Sequence, residues 1–106
     1  MTNSTFRALA HPLRRELVER LALGPATVGK ATRGFRVSKP TVTRHLRVLE
    51  EAGLVVRVVD GRTHRLRLDP APLSEAEGWL EEQRARWERL FDVVDEYLEQ
   101  RPKGET

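Results

Sequence analysis

Between Ser38 and Ala52 the chain sets Lys39, Pro40, Thr41, Thr43, Arg44 and Arg47 among the apolar residues Val42, Leu46 and Leu49. The three apolar residues recur at spacings of four and three, one face of an α-helix. On that helix Pro40, Arg44 and Arg47 fall roughly opposite the apolar stripe, with Lys39, Thr41 and Thr43 on the flanks. Arg makes paired hydrogen bonds to guanine, and Thr bonds a base edge or touches a thymine methyl. The unpaired N–H groups at the start of a helix also attract phosphate. The face therefore suits the major groove of duplex DNA.

A second basic group follows. Arg57, Arg62, Arg65 and Arg67 lie on two extended runs, Val55 to Val59 and Thr63 to Leu68, with Asp60-Gly61 between them. Asp-Gly between such runs is a strong hairpin signal. An Arg just past the turn is placed for a phosphate or a narrow minor groove. The plainer reading is a solvated sheet face; phosphate contact is favoured because such clusters usually make it.

Other chemistry is thinly represented. His11, His45 and His64 fall in different elements without metal-ligand spacing, so no metal site is expected. His45 reads as a residue at the core edge or against a phosphate. Asp92, Asp95, Glu96 and Glu99 read as a solvated acidic face. There is no glycine-rich phosphate loop, and Ser38 and Ser74 sit where helix caps belong, not nucleophiles. No catalytic residue, enzyme activity or cofactor is expected.

The elements that must hold these residues are punctuated locally. Phe6 and Leu9 suggest a short first helix over about 5–10. Pro12 opens a second, with Leu13, Leu17, Val18 and Leu21 at helical spacing and Gly24-Pro25 as its stop. A short helical segment runs from about Ala26 to Gly34. Ser38 caps the basic helix, and Gly53-Leu54 ends it as a Schellman motif. After Pro70 and Pro72, Ser74-x-x-Glu77 forms a capping box for a long helix over 74–100. A short helix, a turn and a helix read as helix-turn-helix, and the hairpin directly after it as a wing. The expected fold is mainly α with a β-hairpin wing, in the order α-α-α-α-β-β-α.

Four of the six aromatic residues, Trp79, Trp87, Phe91 and Tyr97, lie on the long last helix. They either pack on the first helix as core or form a stripe wider than one neighbour can cover, which is a dimerisation surface. The second reading assigns Phe6, Leu9, Leu80, Trp87, Leu90, Phe91, Val94 and Leu98 to contacts with a second copy.

Composition agrees. The chain has 106 residues, enough for one domain over 1–106. Its 33% charged residues and the lack of a long apolar run exclude a membrane span. The absence of cysteine excludes disulfides, thiolate metal sites and thiol catalysis. With no secretory signal visible, the expected compartment is the cytoplasm. Residues 1–70 hold 14 Lys/Arg against 6 Asp/Glu, a net +8, and residues 71–106 hold 5 against 10, a net −5. A basic body fits an anionic partner, and the acidic segment should face away from it.

Two stretches resemble the ArsR family of winged-helix regulators. Leu9-Ala-His-Pro-Leu-Arg-Arg-Glu-Leu-Val18 is similar to that family's opening helix, and Val37-Ser-Lys-Pro-Thr-Val-Thr-Arg-His-Leu-Arg-Val-Leu-Glu-Glu-Ala-Gly-Leu-Val55 to its DNA-reading helix. The likeness covers about residues 6–100. It implies a homodimeric, sequence-specific DNA-binding repressor that dimerises through its first and last helices. It also implies DNA contacts from Lys39, Pro40, Thr41, Thr43, Arg44, His45 and Arg62. The operator should be an imperfect palindrome whose half-sites lie about one turn, ~10 bp, or a multiple apart.

Three departures bear on that implication. Many members sense metals through a Cys-x-Cys pair where this chain has Ala26-Thr-Val-Gly-Lys-Ala31, or through Asp and His ligands in the last helix, where this chain has no His. The metal-sensing role therefore does not transfer, and the long last helix is similar to a metal-independent branch of the family. Arg36 stands where the family's turn usually has Gly, so either Arg36 adopts a positive φ or the turn is built differently. Ala31 replaces a usual Leu. The expected partners are an operator duplex and a second copy, with no membrane and an effector the sequence does not name. The alternative is a winged-helix protein–protein adaptor without DNA binding, which leaves the basic helix and wing unexplained.

Overall fold

Eight elements follow one another along the computed structural model, which describes residues 2–100. They are α1 (Thr2–Ala8), α2 (Pro12–Ala22), β1 (Ala26–Thr27), α3 (Val28–Ala31), α4 (Lys39–Glu51), β2 (Val55–Asp60), β3 (Thr63–Leu68) and α5 (Ala71–Glu99). The chain divides into two units, one reaching Ala76 and one beginning at Glu77.

In the first unit the helix ends follow local chemistry. His11 caps α2 by accepting the Leu13 N–H at Nδ1, with Pro12 in the first turn. Ser38 caps α4 by accepting from the Thr41 N–H. At the other end of α4, Leu54 N–H bonds the Leu49 carbonyl and Gly53 N–H bonds the Glu50 carbonyl. Gly53 has φ +77°, so this is the Schellman arrangement the sequence predicts. It also folds Leu54 back beside Leu49, and both are fully buried.

Leu13, Leu17 and Leu21 of α2 meet Val42, Leu46 and Leu49 of α4 in one core, closed by Ala31, Leu54, Val55 and Leu66. Burying a Leu side chain is worth about 1.5–3 kcal/mol. This shared core is what holds the outward face of α4 at a fixed angle to the rest of the unit.

The sheet has three strands, not two. Ala26 and Thr27, read from the sequence as the start of a helix, pair antiparallel with Leu66 and Arg65. The strand order is β1-β3-β2. Helix α3 is then only one turn long, capped by Thr27, which accepts the Lys30 N–H. The hairpin pairs Val55 with Leu68 through to Asp60 with Thr63, so its two-residue turn is Gly61-Arg62. Gly61 has φ +61°, and Arg62 sits in the tip itself, one place nearer than the sequence reading puts it.

Two other boundaries differ. Helix α5 starts at Ala71, where the Asp69 carboxylate accepts the Ala71 N–H. Ser74 N–H already bonds the Pro70 carbonyl, so the Ser74–Glu77 capping box is not used. Prolines 70 and 72 lie at the helix start, where a missing N–H costs nothing. Helix α1 ends at Ala8, and Leu9 is half-buried against the core.

The second unit is the rest of α5 and has no buried residue among those described. Leu80, Trp87, Leu90, Phe91, Val94 and Leu98 are between 45% and 64% exposed, and Tyr97 reaches 67%. The core reading of these aromatics is therefore not what the structure shows. No described helix is long and apolar enough to cross a membrane.

Candidate nucleic-acid interface

Burial of Val42, Leu46 and Leu49 turns the opposite side of α4 outward. Lys39, Pro40, Thr43, Arg44 and Arg47 are all exposed and line one shallow concavity. Within that group are three cations and no carboxylate. Thr41 differs: it is half-buried, and its hydroxyl lies 2.9 Å from the Ser38 hydroxyl, within the cap. Arg62 and Arg65 are exposed on the wing.

Two residues read from the sequence as DNA contacts are already engaged within the protein. The Arg57 guanidinium grips the Glu50 carboxylate with two bonds, Nε to Oε2 at 3.2 Å and a terminal nitrogen to Oε1 at 2.7 Å. This paired geometry is the strong form of a charge-assisted bond, and it raises the Arg57 pKa. Arg57 also donates to His64 Nδ1 at 3.1 Å. The arrangement braces β2 and β3 against α4. His45 is half-buried, with Nδ1 held at 3.0 Å by Arg14 of α2 and its ring centroid 4.2 Å from that of His11. Burial is the first cause that lowers the His45 pKa, followed by the charges of His11, Arg14 and Arg44.

The turn before α4 is built without strain at Arg36. Among the described residues only glycines have positive φ, and Gly34 takes it at +84°. Arg20 of α2 then fixes the turn. It donates to the Ala31 and Arg33 carbonyls at 3.0 and 2.6 Å, and its guanidinium lies 4.1 Å over the Phe35 ring. Arg14 and Arg20, absent from the sequence-level site, prove to be what holds the helix ends around α4. Their six-residue spacing on α2 was visible, but the partners lie on other elements.

A crevice of about 560 Å³ runs along the flank of α4, lined by Val28, Thr32, Phe35, Val37 and Leu46, with the cations Arg33 and Lys39 at its edge. It adjoins a second concavity that includes Arg62 and His64 of the wing. The crevice shares Lys39 and Thr43 with the concavity on the recognition face, and Val28, Gly29 and Arg57 with the one at the wing. Of the expected dimer surface, Phe6 and Leu9 are only half-exposed, whereas its α5 members lie open.

Comparison with known proteins places this arrangement. Residues 9–59 match the model of a helix-turn-helix domain family. The chain is 45% identical over 69 residues to the HTH-type transcriptional regulator Rv2034 of Mycobacterium tuberculosis, covering 65% of this chain and 64% of that protein. The chain thus spans slightly less than two thirds of that relative's length. It is 28% identical to the transcriptional repressor SdpR of Bacillus subtilis over 74% of this chain and 87% of that protein. The crystal structure of an ArsR family transcriptional regulator superposes with a TM-score of 0.76 at 36% identity, covering 81% of this chain and 89% of that one. A helix-turn-helix with a wing, and relatives of this kind along most of its length, identify the chain as a member of the ArsR family of transcriptional regulators, a family of regulators and not of enzymes.

Proposed function

We propose that the protein is a homodimeric repressor that binds a palindromic DNA operator in the cytoplasm. The observation that carries this reading is the outer face of the first turns of α4: Lys39, Pro40, Thr43, Arg44 and Arg47 exposed together over a rigid apolar core, with no carboxylate among them. Lys39, Thr43 and Arg44, at the helix N-terminal half, read bases, as in other helix-turn-helix proteins. Arg47, Arg62 and Arg65 hold phosphates and set register. Arg57 acts by bracing the wing through Glu50. The exposed apolar stripe of α5 is the surface for a second copy, because a lone chain rarely leaves so many aromatic and aliphatic side chains in water. Repression follows the name of the Bacillus subtilis relative.

The test is a fluorescence-anisotropy titration of DNA from upstream of the protein's own gene against a scrambled duplex, at two salt concentrations. Tight, salt-sensitive binding to the native duplex alone is expected. Absence of binding to either duplex favours the adaptor reading.

A further inference from the structure

Arg14 occupies a junction that the DNA-binding reading does not use. Its Nε donates to the Ala8 carbonyl at 2.7 Å and one terminal nitrogen donates to the Arg7 carbonyl at 3.0 Å. Both carbonyls belong to the last turn of α1, where helical partners run out; that of Arg7 also accepts the Ala10 N–H at 3.2 Å. The other terminal nitrogen reaches His45 Nδ1 on α4 at 3.0 Å. One side chain of α2 therefore touches the end of α1 and the middle of the helix that carries the recognition face.

The chemistry of this contact fixes a protonation state. A guanidinium can only donate, so His45 Nδ1 must accept through its lone pair, and the ring proton lies on Nε2. His11 is constrained likewise, since its Nδ1 accepts the Leu13 N–H that caps α2. The two ring centroids lie 4.2 Å apart. A proton on His45 would remove the acceptor from Arg14 and set a new positive charge beside Arg14, His11 and Arg44. Those three are the charged or titratable groups that face it: Arg14 from α2, His11 from the cap before it, and Arg44 from α4 itself. His45 is directly followed by Leu46, which is 1% exposed in the core, so displacement of the ring shifts the packing that aims α4.

We propose that Arg14 is a positioning residue for DNA recognition: it ties the end of α1 to the recognition helix through His45, and only while His45 is neutral. This rests on the reading that α4 enters DNA. It differs from a phosphate contact by His45 in the sign of its pH dependence. A histidine against phosphate binds DNA more tightly when protonated. Here the neutral form is favoured in the fold, as its lowered pKa agrees, so the bond is fully present above the ordinary value of 6.5 and is lost only as pH falls through the lowered value beneath it.

The experiment measures DNA affinity at constant ionic strength from about pH 8 to about pH 5.5. It compares the unsubstituted protein with Arg14→Gln, Arg14→Lys and His45→Asn. Asn can offer an oxygen near the Nδ1 position without titrating. In parallel, long-range nitrogen–proton NMR of the histidine rings, in the free protein, reads which nitrogen accepts. Expected are an Nε2–H tautomer with a hydrogen-bonded Nδ1 at His45, and an affinity that falls about tenfold on acidification relative to His45→Asn. His45→Asn should stay within about threefold of the unsubstituted protein at neutral pH, and Arg14→Gln should lose about tenfold there. Arg14→Lys should fall between, since Lys is one point donor for three acceptors.

Tightening of the unsubstituted protein relative to His45→Asn on acidification would overturn the inference and restore the phosphate contact. So would a His45 Nδ1 that carries the proton in the free protein. If Arg14→Gln fails to fold, Arg14→Lys and His45→Asn still decide the matter. Absence of DNA binding at every pH would fail the functional reading and take this inference with it, whereas a wrong tautomer fails this inference alone.

Discussion

Residues 2–76 and residues 77–99 follow opposite rules. In the first stretch most large aliphatic side chains find a place in or beside one core, and Leu17, Leu46, Leu49, Leu54 and Leu66 are at most 1% exposed; Leu23, Val37, Val58 and Val59 are the exposed exceptions. In the second, Leu80, Trp87, Leu90, Phe91, Val94, Tyr97 and Leu98 stand 45–67% exposed on a single helix. Apolar content is similar in kind; what differs is whether this chain supplies a partner surface. The first stretch is a folded reader whose outer faces are basic. The second leaves its apolar side chains in water on a lone chain, the ground on which a second copy is proposed there, and it is rich in acidic residues. The contrast teaches that burial within one chain and the hydrophobic pattern of its sequence answer different questions.

The comparison can be broken at its strongest point first. Leu49→Ala, at a fully buried site between α2, α4 and Leu54, should cost about 2–5 kcal/mol of stability, read as a drop in Tm by calorimetry. A loss below about 0.5 kcal/mol would mean that this core does not hold α4.

The second stretch should behave in the opposite way. Phe91→Asp with Leu90→Asp should leave the Tm of residues 2–76 nearly unchanged while converting a dimer to a monomer in analytical ultracentrifugation. Operator affinity should fall by about 100-fold or more, because the second half-site is no longer engaged by a linked copy. A dimer that survives both charges would remove α5 from the interface.

Within the reader itself, Arg44→Ala should cost about 1–3 kcal/mol on the operator and relax base preference at one position per half-site. Equal losses on operator and random DNA would reassign Arg44 to the backbone. Arg62→Ala is the smallest effect expected. It should weaken binding on all sequences alike and lower the salt slope by about one. A change in base preference would instead put the wing tip against base edges.

Much of the reader was legible because its signals are local. Ser38, Gly53 and Leu54 mark the ends of α4 by chemistry confined to a few residues, and Val42, Leu46 and Leu49 name its buried side. The hairpin was legible for the same reason. Strand β1 was not: two residues, Ala26 and Thr27, carry no alternation, and only their pairing with Leu66 and Arg65 makes them a strand. The start of α5 was misplaced because Pro70 and Pro72 read as a break, although prolines are tolerated in a first turn. The turn before α4 offered two routes, and the positive φ falls on Gly34, two residues before Arg36.

The site was legible as a set of exposed cations and opaque as a set of partners. Lys39, Thr43, Arg44 and Arg47 emerge together because helical periodicity alone puts them there. Nothing in the spacing shows that Arg57 is taken by Glu50, or that His45 meets Arg14 across 31 residues of chain. Both pairings depend on how elements pack, which one-dimensional patterns do not encode. They convert two expected contacts into braces that set the angle of the reading helix and the wing.

The central claim, that two readers joined by α5 bind one operator, is tested most directly by the mass of the complex. Light scattering of the protein with a single duplex from upstream of its own gene should give two chains per duplex, with a footprint of two half-sites about one helical turn or a multiple apart. One chain per duplex, or a dimer that forms but leaves the duplex free, would contradict it.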